Sequence, residues 1–462
     1  MTDQTHPWVV LKFGGSSVSS QADWDNIAAI VKSNLQSGKK VAVIHSAFKN
    51  VTNELEAIAQ LAVTDDCEDA LHQLLNKHKA MAHELEVDAT LLDPWFESLQ
   101  IALAGIRHNE ALTAMDRAQV VSHGELLSSV LGAEFLRKVL GQQHSVDWLD
   151  AREILSSESS HHQNENDCYM NAVCHPRPNQ ELAEQWANQA DVVLSQGFIA
   201  ANDEGQTVLL GREGSDTSAA YFASLLQADK LEIWTDVAGM FSTDPNKISS
   251  AQKLAAISYN EAFDMAEAGA KVLHPRCLSA VMAYNIPIEI RNTHQPDETG
   301  TVITNDYQPS KWVKAIALKQ QIPIVTLLLG RRGQQPDTLQ KVFSVINEFG
   351  LSSELMASTK NSLVMAIETN NSIYSDSILQ KLSEKLAEVC RSVFTSHSAM
   401  LTLIGCEASQ ALWHLLQIDA QLPEQWLLLS HATGDHHLSF LVNDDDALKV
   451  LQLLHDNLIK LN

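Results

Sequence analysis

Trp8-Val9-Val10-Leu11-Lys12-Phe13 is an apolar run stopped by Gly14-Gly15, and residues 16–31 then carry Ile27, Ile30 and Val31 on one side at helical spacing. This order predicts strand, glycine turn, helix. Residues 41–44 predict a second buried strand. Residues 54 to about 137 are long, polar and helical in pattern, broken near Asp93-Pro94, with Gly124-Glu125 inside an apolar-flanked helix. Strand-like runs follow at 146–149, at 191–194 before Gln196-Gly197-Phe198, at 208–211 and at 231–234, the last two flanking a helix over 218–226. Continuous apolar runs alternating with helical segments point to the α/β class, a mostly parallel sheet sandwiched by helices. Residues 156–180, rich in Ser, His, Asn and Pro, read as an exposed loop with His161 and His162 solvated.

Past Thr301 the pattern changes to strand 323–328, helix 338–347, strand 362–367 and helix 377–389, and a similar order recurs from 400 to 461. This predicts two small α+β units in tandem. The expected domains are 1–307, 308–392 and 393–462, and the pattern leaves open whether the last two are interleaved.

A chain of 462 residues exceeds a single core. Its net charge of -25, from 57 acidic and 32 basic residues, makes nucleic acid and anionic membranes poor partners. The first residues hold no basic segment followed by an apolar stretch, and no apolar run approaches the ~18 residues of a membrane span, so a cytoplasmic protein is expected. The six cysteines are scattered without a CxxC, which predicts reduced thiols and no structural metal. The same charge repels anionic substrates, so a site for them demands a few cations concentrated locally.

Such cations stand at strand ends. In Lys12-Phe13-Gly14-Gly15-Ser16-Ser17, adjacent glycines let backbone N–H groups approach phosphate oxygens and the lysine adds a point charge, although a tight turn with a surface lysine reads the same way. In Leu210-Gly211-Arg212-Glu213-Gly214-Ser215-Asp216-Thr217, the arginine suits a carboxylate and Asp216 an ammonium or Lys12; a capped helix with a surface ion pair explains Asp216 alone. The run from Trp234-Thr235-Asp236 to Phe241 and Asp244-Pro245-Asn246 offers hydroxyls, carboxylates and an aromatic for a nucleoside, or simply a turn. Gly269-Ala270-Lys271-Val272 supplies a further lysine at a glycine break.

In this order, KFGGSS, SAFKNVTN, SHGELLS, LDARE, LLGREGSDTSAA, WTDVAGMFSTDP and GAKVLHPR resemble the motifs of the aspartokinase branch of the amino-acid kinase family, and the two C-terminal units resemble ACT domains. The wording is similar to the kinase part of aspartokinases fused to diaminopimelate decarboxylase. The resemblance implies an amino-acid kinase fold and an aspartate kinase, which converts ATP and L-aspartate to 4-phospho-L-aspartate and ADP at the start of lysine, threonine and methionine synthesis. It implies that Lys12 contacts the transferring phosphoryl group, that Phe13, Gly14 and Gly15 line the phosphate path, and that Asp216 orients Lys12 and faces the substrate ammonium. Arg212 would clamp the α-carboxylate, Glu125 hold the amino group, and Thr52, Phe198 and Ser215 complete that pocket. Thr235, Asp236, Phe241, Asn246, Lys271 and Val272 would meet the nucleotide, with Mg2+ arriving on ATP and no other metal held by the protein. The effector segment would include Ser352, Ser353, Glu354 and Ser358, taking lysine or threonine in a homodimer joined through the ACT units.

Several positions depart from the family pattern. Phe241 replaces a common tyrosine, Asn246 an arginine, Asn50 a glycine and Glu213 a glycine or small polar residue, while Lys360 reverses a charge in the effector segment. Two rival readings stand beside this one. Another amino-acid kinase is disfavoured for acetylated substrates by Glu125, whose carboxylate wants a free ammonium, and a non-catalytic amino-acid sensor is disfavoured by intact Lys12, Arg212 and Asp216.

Overall fold

The computed structural model describes residues 8–64, 66–158, 164–270, 273–305, 312–329, 335–368, 376–405, 408–417, 427–430 and 437–459. They form two units, one from Met1–Met240, Lys253–Ala262 and Val272–Tyr307, the other from Phe241–Gln252, Phe263–Lys271 and Gln308–Asn462. Among the described residues, no helix is long and apolar enough to cross a membrane.

The strands of the first unit are β1 (Trp8–Phe13), β2 (Lys40–His45), β3 (Val146–Leu149), β4 (Ser156–Ser157), β5 (Val192–Gln196), β6 (Ile199–Asn202), β7 (Thr207–Leu209), β8 (Lys230–Thr235), β9 (Ala256–Ser258), β10 (Ile288–Asn292) and β11 (Thr301–Thr304). The main sheet runs β3-β5-β2-β1-β8-β10-β11-β9, parallel except for the β10–β11 pair. All six residues of β1 are buried, which is why an uninterrupted apolar run marks a central parallel strand. Each such Val, Leu or Phe contributes roughly 1.5–3 kcal/mol on leaving water. Phe13 is level with His45 and Trp234, and His45 with Gln196, so β1, β2, β5 and β8 end along one edge. Ligands of parallel sheets gather at this carboxyl edge.

The helix expected from residue 16 begins later. Gly15–Ser17 forms a single 3-10 turn, and the α-helix Gln21–Gln36 starts after Ser20, whose side chain accepts from Asp23 N–H. Side-chain bonds hold the intervening residues out of the helix: Ser17 Oγ lies 2.9 Å from Thr293 Oγ1, and Ser19 Oγ donates to Gly15 O. The expected break near Asp93-Pro94 falls between the helices Glu68–Glu84 and Asp93–Asn109, and Pro94 stands in the first turn of the second, where its missing N–H is an orphan anyway. The expected loop at 156–180 contains β4 and the helix Glu165–Met170, capped by Asn164; His161 and His162 lie outside the described residues. The helix Ala114–Leu140 starts on a reciprocal Thr113–Asp116 cap and packs on β3 and β5.

The second unit carries β12 (Ala315–Leu328), β13 (Ser353–Ser358), β14 (Ser362–Ile367), β15 (Ser392–Ile404), β16 (Leu427–Ser430) and β17 (His437–Val442) in one antiparallel sheet, ordered β13-β14-β12-β15-β17-β16. Ala315–Lys319 pairs with the end of β15 and Ile322–Leu328 with its beginning, across an irregularity at which Gln321 has φ +58°. One extra residue there reverses which side chains of β12 face the helices. Ile316 therefore joins a core with Leu401, Phe440, Leu451 and Leu454, whereas Val325 and Leu327 join another with Val342, Met365 and Leu382. β12 and β15 thus each serve both cores: the first draws on described residues at 248, 313–318 and 399–459, the second on described residues at 325–393.

Candidate active site

Lys12 is the penultimate residue of β1, 8% exposed, and its Nζ lies 2.5 Å from Asp216 Oδ1. Asp216 sits in the first turn of the helix Gly214–Leu226 and is equally buried. A buried ion pair stabilises little beyond its own desolvation, so its presence at a ligand-binding edge signals positioning of charge. A Cβ on Gly14 would stand 3.6 Å from Lys12 Nζ, and one on Gly15 only 2.8 Å from Ala47 O, so the glycine pair lets the backbone pass between the lysine and the loop after β2.

That loop reaches the other side of the site. Ala47 N–H donates to Glu125 Oε1 at 3.1 Å, Ser128 Oγ donates to Ser46 O, and Ser46 Oγ donates to Ser215 Oγ at 2.9 Å. Glu125 is 2% exposed and its Oε2 is buried without a hydrogen-bond partner among the described residues; burial pushes its carboxyl up to about 8. Ser215 presses against Gly197, where a Cβ would come within 2.6 Å of it, and Phe198 turns beside Gly214 with φ +69°. Lys12, Asp216, Ser215, Phe198 and Glu125 are thus linked residue by residue. Arg212 is exposed and, among the described residues, makes no hydrogen bond or ion pair; Thr52 opens the helix Val51–Thr64, half-buried. The arrangement offers a cation on a carboxylate, a second cation free to take an anion, and a buried carboxylate awaiting a donor.

A model described as the amino acid kinase family matches residues 7–292. The lysine-sensitive aspartokinase 3 of Escherichia coli is 30% identical, over 98% of this chain and 99% of that one. The chain belongs to the amino acid kinase family, in its aspartokinase branch. The chloroplastic aspartokinase 3 of Arabidopsis thaliana is 28% identical over 96% of this chain and 80% of its own. Crystal structures of E. coli aspartokinase III superpose with TM-scores of 0.76, in complex with lysine and aspartate, and 0.78, in complex with aspartate and ADP, at 29% and 28% identity. Each covers 99% of that chain and 98% and 97% of this one.

On the side that the aspartokinase motifs assign to nucleotide, Thr235 Oγ1 donates to Asp236 Oδ1 at 3.2 Å and Asp236 is exposed at the end of β8. Phe241 is half-buried and Asn246 exposed, its N–H donating to Asp244 Oδ1; both belong to the second unit. Lys271 and Val272 lie outside the described residues. On β13, Ser353 Oγ donates to Leu355 O and Ala366 O, while Ser352 Oγ donates to Glu368; Ser358 is exposed, and the side chain of Glu354 lies outside the described residues.

The departures from the aspartokinase pattern have a backbone reading. Asn50 has φ +70° and Glu213 φ +51°, the left-handed region that glycine occupies without cost and asparagine tolerates. Glu213 is a poor choice on both counts: burial and then Asp216 raise its pKa, against Arg212 and Lys12. We expect Glu213→Gly to raise stability by about 1 kcal/mol in denaturant titrations and to lower KM for an amino-acid substrate by about threefold, through removal of strain and of a charge beside Arg212.

Ser46, Ala47, Gly197 and Arg276 belong to the site's framework, yet the sequence reading leaves them out of the candidate residues. Arg276 Nη1 donates to the carbonyls of Leu210 and Asn171, under the loop that bears Arg212. Its motif, GAKVLHPR, was visible, but an arginine that binds main-chain carbonyls carries no signal of its own.

Proposed function

We propose that the chain is an aspartate kinase that transfers the γ-phosphoryl group of ATP to the side-chain carboxylate of L-aspartate. The observation that carries this reading is the buried Glu125 oxygen, without a partner among the described residues, joined through Ala47, Ser46 and Ser215 to the Lys12–Asp216 pair. A carboxylate in that position calls for an ammonium, and an exposed Arg212, unpaired among the described residues, calls for a carboxylate, which together describe an α-amino acid. The E. coli relatives solved with aspartate, and with aspartate and ADP, support the choice of ligands.

The acceptor carboxylate of aspartate is ionised at neutral pH, so no general base is required. Catalysis then consists of alignment and charge neutralisation. Lys12, fixed by Asp216, meets the negative charge on the transferred phosphoryl group; Arg212 and Glu125 hold the two ends of the amino acid; Gly14 and Gly15 leave room for phosphate oxygens. A divalent cation, Mg2+ in our reading, would arrive with the nucleotide, since Asp216 is already paired with Lys12, which leaves exposed Asp236 to meet it. When bound, that cation supplies further neutralisation of phosphate charge. The coupled release of ADP tests the reading: it should require L-aspartate and be absent with L-glutamate, N-acetyl-L-glutamate or UMP. ADP release with any of these in place of aspartate would redirect the assignment to another amino-acid kinase.

We infer also that lysine is the effector, acting at β13 in a homodimer. A relative is named lysine-sensitive, and β13, which carries the effector segment, ends the strand order of its sheet. Calorimetry with millimolar lysine should show uptake, and sedimentation should give twice the mass of one chain; no uptake would exclude lysine.

A further inference from the structure

Resting on the assignment of Phe241 and Asn246 to the nucleotide, we propose that His455, near the end of the helix Ala447–Leu458, is a positioning residue for nucleotide binding: it holds the segment Phe241–Gln252 in its shape. This segment belongs to the second unit. Ser242, next to Phe241, is completely buried and lies with its Oγ 2.9 Å from His455 Nε2, while Ser250 Oγ lies 3.3 Å from His455 Nδ1. One imidazole therefore bridges both ends of the loop that carries Asp244, Pro245 and Asn246.

The rest of the segment is fastened at the same place. Ser242 N–H donates to Gln252 O at 2.8 Å, Gln252 N–H donates to Ser242 Oγ at 2.9 Å, and Ile316 N–H donates to Ser242 O at 2.7 Å. Ile248, midway along it, is buried in the core formed with Ile316, Leu451 and Leu454. The adjoining segment Phe263–Lys271 has its own tie to this unit, Asp264 Oδ1 to His437 Nδ1 at 3.2 Å.

A hydrophobic side chain at 455 would fill the core equally well, so packing alone gives no reason for a histidine. Burial lowers the His455 pKa, which keeps the ring neutral with one donor and one acceptor nitrogen, and either tautomer satisfies both serine hydroxyls. The phosphoryl-transfer chemistry does not use this group. Its effect is to set where Phe241 and Asn246 are presented, from a helix at the far end of the sequence.

The test is calorimetric titration of the full chain with Mg-ADP in the absence of an acceptor, beside titration with L-aspartate. His455→Leu and Ser242→Ala should each weaken Mg-ADP by about tenfold, the double variant no more than either alone, and aspartate binding should stay within about twofold. His455→Gln, whose amide reaches the Nε2 position, should stay within about threefold of wild type. Val450→Ala, which thins the core that also holds Ile248 but leaves both serine–imidazole contacts in place, should keep Mg-ADP binding within about twofold. Unchanged Mg-ADP affinity in His455→Leu and Ser242→Ala would overturn the proposal, as would an equal loss in Val450→Ala or His455→Gln. If His455→Leu does not fold, Ser242→Ala decides alone. A wild-type chain that binds no Mg-ADP would overturn the nucleotide reading itself, and the positioning role with it.

Discussion

Lys12→Ala is expected to lower kcat for aspartate-dependent ADP formation by about a hundredfold to a thousandfold, with KM for aspartate changed by less than about threefold. In the proposed reaction the lysine acts on charge that builds at the transferring group, so its loss would fall on the transition state. The substitution also leaves Asp216 buried without its cation, and breaking such a pair costs roughly 3–5 kcal/mol of stability. The two effects separate in the double variant Lys12→Met/Asp216→Asn. It should recover most of the thermal stability, since the orphaned charge is gone, and none of the turnover. Steady-state kinetics beside thermal denaturation checks both. A double variant that regained activity would mean that Lys12 serves only to solvate Asp216.

Glu125→Gln should cost about a hundredfold in kcat/KM for aspartate, because the substitution puts a neutral amide where the proposed complex sets a buried carboxylate against the substrate ammonium. The pH dependence carries the same information. With its carboxyl held up at about 8 by burial, Glu125 is protonated in the empty site at pH 7 and must ionise to receive an ammonium. The wild-type kcat/KM for aspartate should therefore rise with pH to a plateau above about pH 8, and aspartate binding at pH 7 should release a proton, detectable as a buffer-dependent enthalpy. The Gln variant should show neither. The stability effect has the opposite sense. Between the ordinary 4.5 and about 8 the folded chain keeps a proton that the unfolded chain has lost, so folding weakens as pH rises through this range. Glu125→Gln should remove that slope and gain on wild type in denaturant titrations from pH 5 to pH 8.

The central sheet was legible because β1, β2, β5 and β8 are buried on both faces, which leaves continuous apolar runs with no competing helical period. The start of the helix after Gly15 was not, because Ser17 and Ser19 are held by residues that sequence spacing cannot bring together. The division of β12 between two cores turns on a single extra residue, and a pattern of apolar positions averages over such a bulge. Within the site, Lys12, Arg212 and Asp216 stood out as charges at glycine breaks. The link from Glu125 to Ala47 is a backbone donor 78 residues away in the chain, which no motif encodes. Glu213 and Asn50 were visible as departures, and their physical meaning, a left-handed backbone, came only with the dihedral angles.

Trapping of the acyl phosphate tests phosphorylation of the side-chain carboxylate most directly. Purified chain, Mg-ATP, L-aspartate and hydroxylamine should yield the β-hydroxamate of aspartate, identified by mass spectrometry, with none formed from L-glutamate and none by Lys12→Ala. No hydroxamate from aspartate under conditions where Mg-ADP binds, or an equal yield from glutamate, would contradict it.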